Sequence, residues 1–392
     1  MKRVFIRLKR YLLYFISLIM RTFLPIRKGR VLFWATLGKD YGCNPMYLSK
    51  YIVNNENKFD VWWMFIKGVN TSNLEPNEKI VWYGTIKYLY ILNTAEYLIT
   101  NHRTLPRFFF WKKRKGQKYI MTWHGSMAIK RIEKDAIESI GEDYVNTAKK
   151  DSLNCDLMIS DSKFFTELIK KSFWYDGEIL KTTIPRNQKF YEIDKYQTIR
   201  KKVLDFYGRN INQGYFIVLY APTFRQNHDV EPYIIKWDVL RKVIESKYGK
   251  KVIVLMRLHP NLLKEIDTDA LIKEDFIKNA SVYNDMQELM VAADMLITDY
   301  SSTMFEFSMM QKPCFLYMPD RQTYDRGFYF KLSELPFAQS ESIQELISDI
   351  GKYDMKTYLE KIHTFIDTRF GLYEKCNGCA KVCEWMKQHA LQ

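Results

Sequence analysis

The sequence has no Gly-rich loop of the form GxxxxGK[ST], which excludes a Walker-type nucleotide site. It has no low-complexity tract and no internal repeat, and a hydrophobic content of 47% then points to an ordinary globular chain. It contains only six Cys, and with no signal peptide these argue for a reducing compartment rather than a disulfide framework. Long apolar runs are also missing. The run "YLLYFISLIM" at 11–20 is about half of the roughly 20 residues needed to span a bilayer. Arg21 and Pro25 interrupt its extension, and no small-residue cleavage site follows it.

Acidic residues are absent from two stretches. Residues 1–30 hold nine Lys and Arg and no acid; residues 101–118 hold seven and again no acid. These segments carry +16 against a net charge of +15, so the rest of the chain carries −1. The protein is a neutral body with two basic patches. Both patches are mixed with large apolar groups, in "YLLYFISLIM" and in "RFFFWKKRK". Nucleic acid would account for the cations but not for so much Leu, Ile and Phe, so no nucleic-acid partner is expected. An anionic membrane surface accounts for both. Residues 1–29 are therefore expected to form a basic amphipathic segment that associates with the membrane surface. An amphipathic helix packed on the body is the alternative. For "RFFFWKKRK" the alternative is a buried aromatic cluster beside a solvated basic turn.

At 392 residues the chain is long enough for two domains. From residue 31 short apolar runs alternate with helical segments. The runs are "VLFWATL" (31–37), "VWWMFI" (61–66), "YLIT" (97–100), "YIMTW" (119–123) and "LMIS" (157–160). A charged helix at about 191–207 then leads to Gly208 and the loop "RNINQG", which reads as the linker. The pattern restarts with "YFIVLY" (215–220), "KVIVLM" (251–256), "MLIT" (295–298) and "CFLY" (314–317). Continuous apolar strands alternating with helices predict parallel sheets covered on both faces. The expected fold class is α/β, with a Rossmann-like domain at 30–208, a second at 209–370, a cleft between them and a C-terminal helix at 371–392.

Chemistry-bearing residues follow four of these strands, where open α/β sheets bind ligands. "YIMTW" runs into His124-Gly125-Ser126, "YFIVLY" into "APTFR" ending at Arg225, "KVIVLM" into Arg257-Leu258-His259, and "MLIT" into Asp299-Tyr300-Ser301-Ser302. The chain has six His, and two of them fall at these positions. Ser301 and Ser302 at a helix start could donate to a phosphate. Plain capping, with Thr303 and Glu306 as a capping box, is the alternative. The company of Arg225, Arg257 and His259 on neighbouring strand ends points to a diphosphate clamp. His124, with a glycine behind it, is a candidate general base; a structural His bonded to a backbone carbonyl is the alternative. Cys376, Cys379 and Cys383 could suggest zinc, but their spacing suits the buried face of a C-terminal helix. No metal is assigned.

Seven stretches in order, covering roughly residues 30–370, resemble the CDP-glycerol glycerophosphotransferases of bacterial teichoic acid and capsule synthesis. They are "TWHGS" through Lys130, "IPRN" (184–187), "YAPTFR" (220–225), "RLHP" (257–260), "TDYSSTMFEF" (298–307), "KPCFLY" (312–317) and "RGFYF" (326–330). The resemblance implies a GT-B fold that needs no metal or other cofactor. It also implies a peripheral enzyme at the cytoplasmic face of the cell membrane. The implied partners are CDP-glycerol or a related CDP-polyol and a lipid-linked glycan acceptor. Carried over, His124 is the base, and His259, Arg225, Arg257, Asp299, Ser301 and Ser302 surround the donor diphosphate. Gly125, Ser126, Lys130, Arg186, Asn187, Glu306 and Arg326 are further expected contacts. The chain departs from the family where Thr183 and Ile184 precede Pro185, where Gln188 follows Asn187, and where Ser126-Met127-Ala128 replaces the commoner Thr-Pro. The implied reaction is attack of an acceptor hydroxyl on the β-phosphorus, with release of CMP. The alternatives are a GT-B glycosyltransferase using a nucleotide sugar, and a non-catalytic adaptor at the membrane surface.

Overall fold

A computed structural model describes residues 2–104, 113–125, 127–225, 231–258, 262, 272, 274–322, 324 and 327–391, the side chains of 2–7 and 9 excepted. The chain divides into two compact units. The first comprises Met1–Ser126, Ile132–Gln188 and Leu372–Gln392; the second comprises Met127–Arg131 and Lys189–Gly371.

The first unit is built on strands β1 (Arg27–Trp34), β2 (Asp60–Phe65), β3 (Lys79–Trp82), β4 (Ala95–Thr100), β5 (Lys118–Met121), β6 (Leu157–Ser160) and β7 (Glu178–Lys181). They form one parallel sheet in the order β3-β2-β1-β4-β5-β6-β7. The second unit contains β8 (Phe216–Tyr220), β9 (Val252–Met256), β10 (Ile277–Asn279), β11 (Met295–Thr298), β12 (Cys314–Tyr317) and β13 (Ala338–Ser340). Its parallel sheet has the order β10-β9-β8-β11-β12-β13. The inner strands are apolar and buried along their length, as expected for strands covered on both faces.

Two boundaries differ from the sequence expectation. The change of unit falls after Gln188, not in the loop at 209–214. The helix Tyr196–Phe206 packs on the helix Met286–Ala292. Arg200 bridges to Asp294 at 2.8 Å and Lys202 to Glu288 at 2.8 Å, which ties the charged helix to the second sheet. The C-terminal helix, Gly378–Gln388, is part of the first unit. Its Cys379, Val382, Cys383, Trp385 and Met386 enter the core that also holds Phe33, Trp63 and Ile99. Cys376 precedes this helix and lies 3.1 Å from the Thr182 hydroxyl.

The helix Lys2–Phe23 packs on the helix Ile86–Thr94. Leu13 and Ser17 are buried, and the Asn93 amide donates to the Ser17 hydroxyl at 2.9 Å. A second stripe, Leu8, Tyr11, Leu12, Phe15, Ile19 and Phe23, is exposed. Among the described residues no helix is long and apolar enough to cross a membrane. Of the second basic patch, 105–112 lies outside the described residues. Arg103 is not surface charge: it is buried with Glu133 at 2.7 Å and Asp151 at 3.3 Å. Burial alone would lower its pKa, and these two carboxylates more than reverse that.

Candidate active site

β4 and β5 are neighbours, so the residues that follow them meet. Asn101-His102 follows β4; Thr122-Trp123-His124 follows β5. The His124 ring stacks on His102 with centroids 4.4 Å apart and planes 13° apart, and on Trp123 at 4.4 Å. His124 Nδ1 lies 3.0 Å from the Asn101 carbonyl oxygen. A carbonyl only accepts, so Nδ1 carries the hydrogen and Nε2 keeps the lone pair. The residue is exposed at one edge. Desolvation by the surrounding protein nevertheless holds the imidazole down to about 4; the Asn101 bond opposes this and the Arg186 charge adds to it. His124 is therefore a neutral base at neutral pH. The carbonyl bond expected of a merely structural His is present, and it is what fixes the tautomer.

Several backbone positions around this ring are left-handed: Thr36 (φ 46°), Leu37 (φ 59°), Cys43 (φ 58°) and Trp123 (φ 54°). Each such non-Gly residue costs roughly 1–3 kcal/mol. Two buried asparagines hold them. Asn44, fully buried, donates to the carbonyls of Thr122 (3.3 Å) and Trp123 (2.9 Å) and accepts from the Arg186 N–H (3.0 Å). Asn101 accepts the Thr36 N–H at 3.0 Å. Arg186 thus belongs to the same cluster, its Nη1 lying 3.4 Å from the Cys43 sulfur. A Cβ on Gly125 would meet nothing closer than Arg186 Nη2 at 3.9 Å, so this glycine leaves room beside the His124 backbone. Asn187 is fully buried, and neither of its amide atoms has a hydrogen-bond partner among the described residues. A polar side chain in that state marks a position for a water or a ligand group.

In the second unit β9, β8 and β11 are adjacent, which brings Arg257, Arg225 and the 299–302 turn to one edge. Arg225 and Asp299, expected on the donor diphosphate, are committed to each other and to the fold. Arg225 Nη1 meets Asp299 at 2.5 Å, and its Nε and Nη2 meet Asp320 at 2.6 and 3.0 Å. Burial would lower the Arg225 pKa, and the two carboxylates hold it well above its ordinary value. The trio carries a net negative charge and is nearly closed to solvent at Arg225 and Asp299, so it has no cation left for a phosphate. Asp299 also accepts the Thr223 N–H at 3.0 Å rather than capping the serines. Tyr300 donates to Asp320 and stacks on Tyr324 at 3.7 Å. Arg257 donates to the carbonyls of Ala280 and Tyr283 at 3.0 and 2.5 Å.

Ser301 accepts from the Thr303 hydroxyl at 2.8 Å, and Ser302 makes no side-chain cap bond to the short helix Thr303–Ser308. The expected Thr303–Glu306 capping box is not formed; the cap residue is Ser302, and Glu306 is buried near Gln287. Both serines remain partly open to solvent. Lys130 belongs to this unit, since residues 129–131 run beside 327–329: the Arg131 N–H donates to the Gly327 carbonyl and that of Tyr329 to the Ile129 carbonyl. Its ammonium lies over the Tyr324 ring at 5.5 Å. Ser126, His259 and Arg326 lie outside the described residues.

Sequence reasoning missed Asn44, Asn101, His102 and Asp320. Asn101 and His102 follow the strand "YLIT", so the rule that found His124 finds them too. Asn44 sits in the first turn of the helix Cys43–Asn55, where no strand end announces it; Asp320 stands shortly beyond β12, within reach of the same rule.

Two parallel sheets with their reactive side chains at the carboxyl ends of the strands define an α/β protein of the ligand-binding, doubly covered kind. Residues 15–386 match the family described as CDP-Glycerol:Poly(glycerophosphate) glycerophosphotransferase, and the chain belongs to that family. It is 27% identical over 374 residues to a teichoic acid poly(glycerol phosphate) polymerase of Bacillus spizizenii, covering 92% of each chain. It is 28% identical over 347 residues to the polymerase of the same description from Bacillus subtilis strain 168, covering 86% of this chain but 45% of that one, so it spans about half the length of that relative. A solved structure of the wall teichoic acid polymerase TagF superposes with a TM-score of 0.84 at 24% identity, covering 99% of this chain and 95% of that one. This likeness shows the fold. TagF has also been solved after a soak with CDPG, a structure matching with a TM-score of 0.78 at 24% identity over 93% of this chain and 89% of that one.

Proposed function

We propose that this protein transfers glycerol phosphate from CDP-glycerol to a hydroxyl of a lipid-linked glycan or teichoic acid acceptor, releasing CMP. The observation that carries the reading is His124: a neutral imidazole at a strand end, with Nδ1–H committed to the Asn101 carbonyl and Nε2 left as the basic atom. Family membership and the CDPG soak of TagF support the donor.

In the proposed reaction Nε2 of His124 takes the proton of the acceptor hydroxyl. The oxygen attacks the β-phosphorus in line, the bond to the CMP oxygen breaks, and CMP leaves. Ser301 and Ser302 donate to the donor diphosphate, and His259, in the segment that follows β9, is read as a further contact with it. Arg225, Asp299 and Asp320 shape the loop that presents these groups and do not touch the phosphates. Positioning and charge stabilisation supply most of the rate in such transfers. The two units are read as the halves of a GT-B enzyme. The exposed apolar stripe of the helix Lys2–Phe23 and the cations around it are read as a contact with the anionic cytoplasmic face of the membrane.

The test is CMP release by the purified protein with CDP-glycerol, CDP-ribitol and several nucleotide sugars, with crude membranes as acceptor. CMP release from CDP-glycerol that falls about 10²–10⁴-fold in His124→Ala is expected. Turnover of a nucleotide sugar instead would overturn the chemistry.

A further inference from the structure

We infer that His102 is a positioning residue for His124: the two stacked imidazoles and the Asn101 amide act as one block that fixes the plane and the tautomer of the base. This inference rests on the reading of His124 as the base and adds a residue to the same site.

The block follows from four contacts. The Thr36 N–H can only donate, so the Asn101 side-chain atom facing it at 3.0 Å is the oxygen. That same oxygen lies 2.9 Å from His102 Nδ1, so His102 carries its hydrogen on Nδ1. His124 donates its own Nδ1–H to the backbone carbonyl of the same Asn101. Two imidazoles of one tautomer are therefore hung from the two oxygens of one asparagine, and their rings lie 4.4 Å apart and nearly parallel. Asn101 is itself buried. The His102 N–H to Thr100 hydroxyl contact, at 3.3 Å, completes the seat.

The arrangement restrains His124 in two ways. Tilting its ring would break the stack with His102 or the bond to Asn101. Flipping it about Cβ–Cγ would put the Cδ2–H in place of the Nδ1–H against the Asn101 carbonyl and lose that bond. His102 also remains neutral: burial first, then the proximity of His124 and Lys39, hold its imidazole down to about 3. The charged or titratable groups facing the pair are thus Arg186 on the His124 side and Lys39 on the His102 side. Each disfavours a positive charge on the pair.

The test combines histidine-labelled NMR with kinetics on the full chain. The wild type is expected to show both rings as Nδ1–H tautomers with depressed pKa values. In His102→Ala the His124 signals should move toward the mixed tautomers and the ordinary pKa of a free imidazole. The kcat should fall by about 10-fold or more with the donor KM little changed, as expected for misplaced but present machinery. His102→Phe keeps a flat ring against His124 and should recover most of kcat. If His102→Ala does not fold, the same readings on His102→Phe and His102→Gln decide: the first close to wild type, the second impaired. An unchanged His124 tautomer, titration and kcat in these variants would overturn the inference. A His124→Ala variant that still released CMP would instead remove the base, while the NMR readings would still decide whether His102 positions that ring.

Discussion

The strand ends of the two units look alike in sequence and differ in what they do with charge. In the first unit His124 stands beyond the end of β5 with Nδ1 committed and, among the described residues, no partner on Nε2. In the second Arg225 stands beyond the end of β8 with its guanidinium closed in by Asp299, Asp320 and Thr223. A reactive residue after a buried parallel strand is therefore one signal with two outcomes. It marks chemistry when an edge of the group stays open, and it marks construction when acids from adjacent strand ends arrive first. Exposure and partners separate the cases, and neither can be read from the strand itself.

The largest effect should come from breaking the closed end. Arg225→Ala leaves Asp299 buried without its partner, and the loss should be about 3–5 kcal/mol by urea unfolding. If Arg225 were instead a phosphate ligand, the same variant would unfold normally and lose donor affinity. At the open end Asn44→Ala removes a buried amide with three partners, and about 1–3 kcal/mol of stability should go with it, together with kcat. An unchanged kcat in a folded variant would show that the His124 loop does not depend on this clamp. Ser301→Ala with Ser302→Ala should weaken CDP-glycerol binding about 10-fold by calorimetry with only a small drop in melting temperature, since Ser302 makes no side-chain cap bond and Ser301 accepts the Thr303 N–H only at 3.4 Å. Equal donor affinity would move the diphosphate elsewhere. The smallest effect concerns pH. A base with a lowered pKa is lost only as pH falls through that value, so kcat/KM should be nearly level from about pH 6 to 8 and should fall toward the His124 pKa of about 4. A limb near 6.5 would mean that the ring is solvated during turnover.

Most of both sheets was legible because their inner strands are unbroken apolar runs. The strands that were not read are β3, β7, β10 and β13, and these are the four sheet edges. "KIVW", "EILK", "IKN" and "AQS" each carry polar residues and partial exposure, as edges do, so no continuous run announces them. The linker was misplaced for a related reason: the helix Tyr196–Phe206 looks like a charged connector until its partners Asp294 and Glu288, about ninety residues on, are seen. His124, Ser301 and Ser302 were singled out by their position after strands, and they do stand just beyond β5 and β11. Asn44 was not, because it lies in a helix and acts across distances that spacing does not encode; Asp320 follows β12 and was passed over although the same rule reaches it.

The placement of the helix Gly378–Gln388 bears on how the chain is made. A Cβ at Gly378 would fall 1.8 Å from the Thr183 carbonyl oxygen, so the helix start lies directly on the backbone of the first unit. Val382, Trp385 and Met386 fill that unit's core, and the Tyr97 hydroxyl donates to the Met386 carbonyl at 2.5 Å. Each such side chain is worth roughly 1.5–3 kcal/mol on burial. A ribosome delivers this helix after everything else in the chain described here. The unit begun first is therefore finished last, and the later-made second unit can complete its own sheet while the first unit still waits for its final helix.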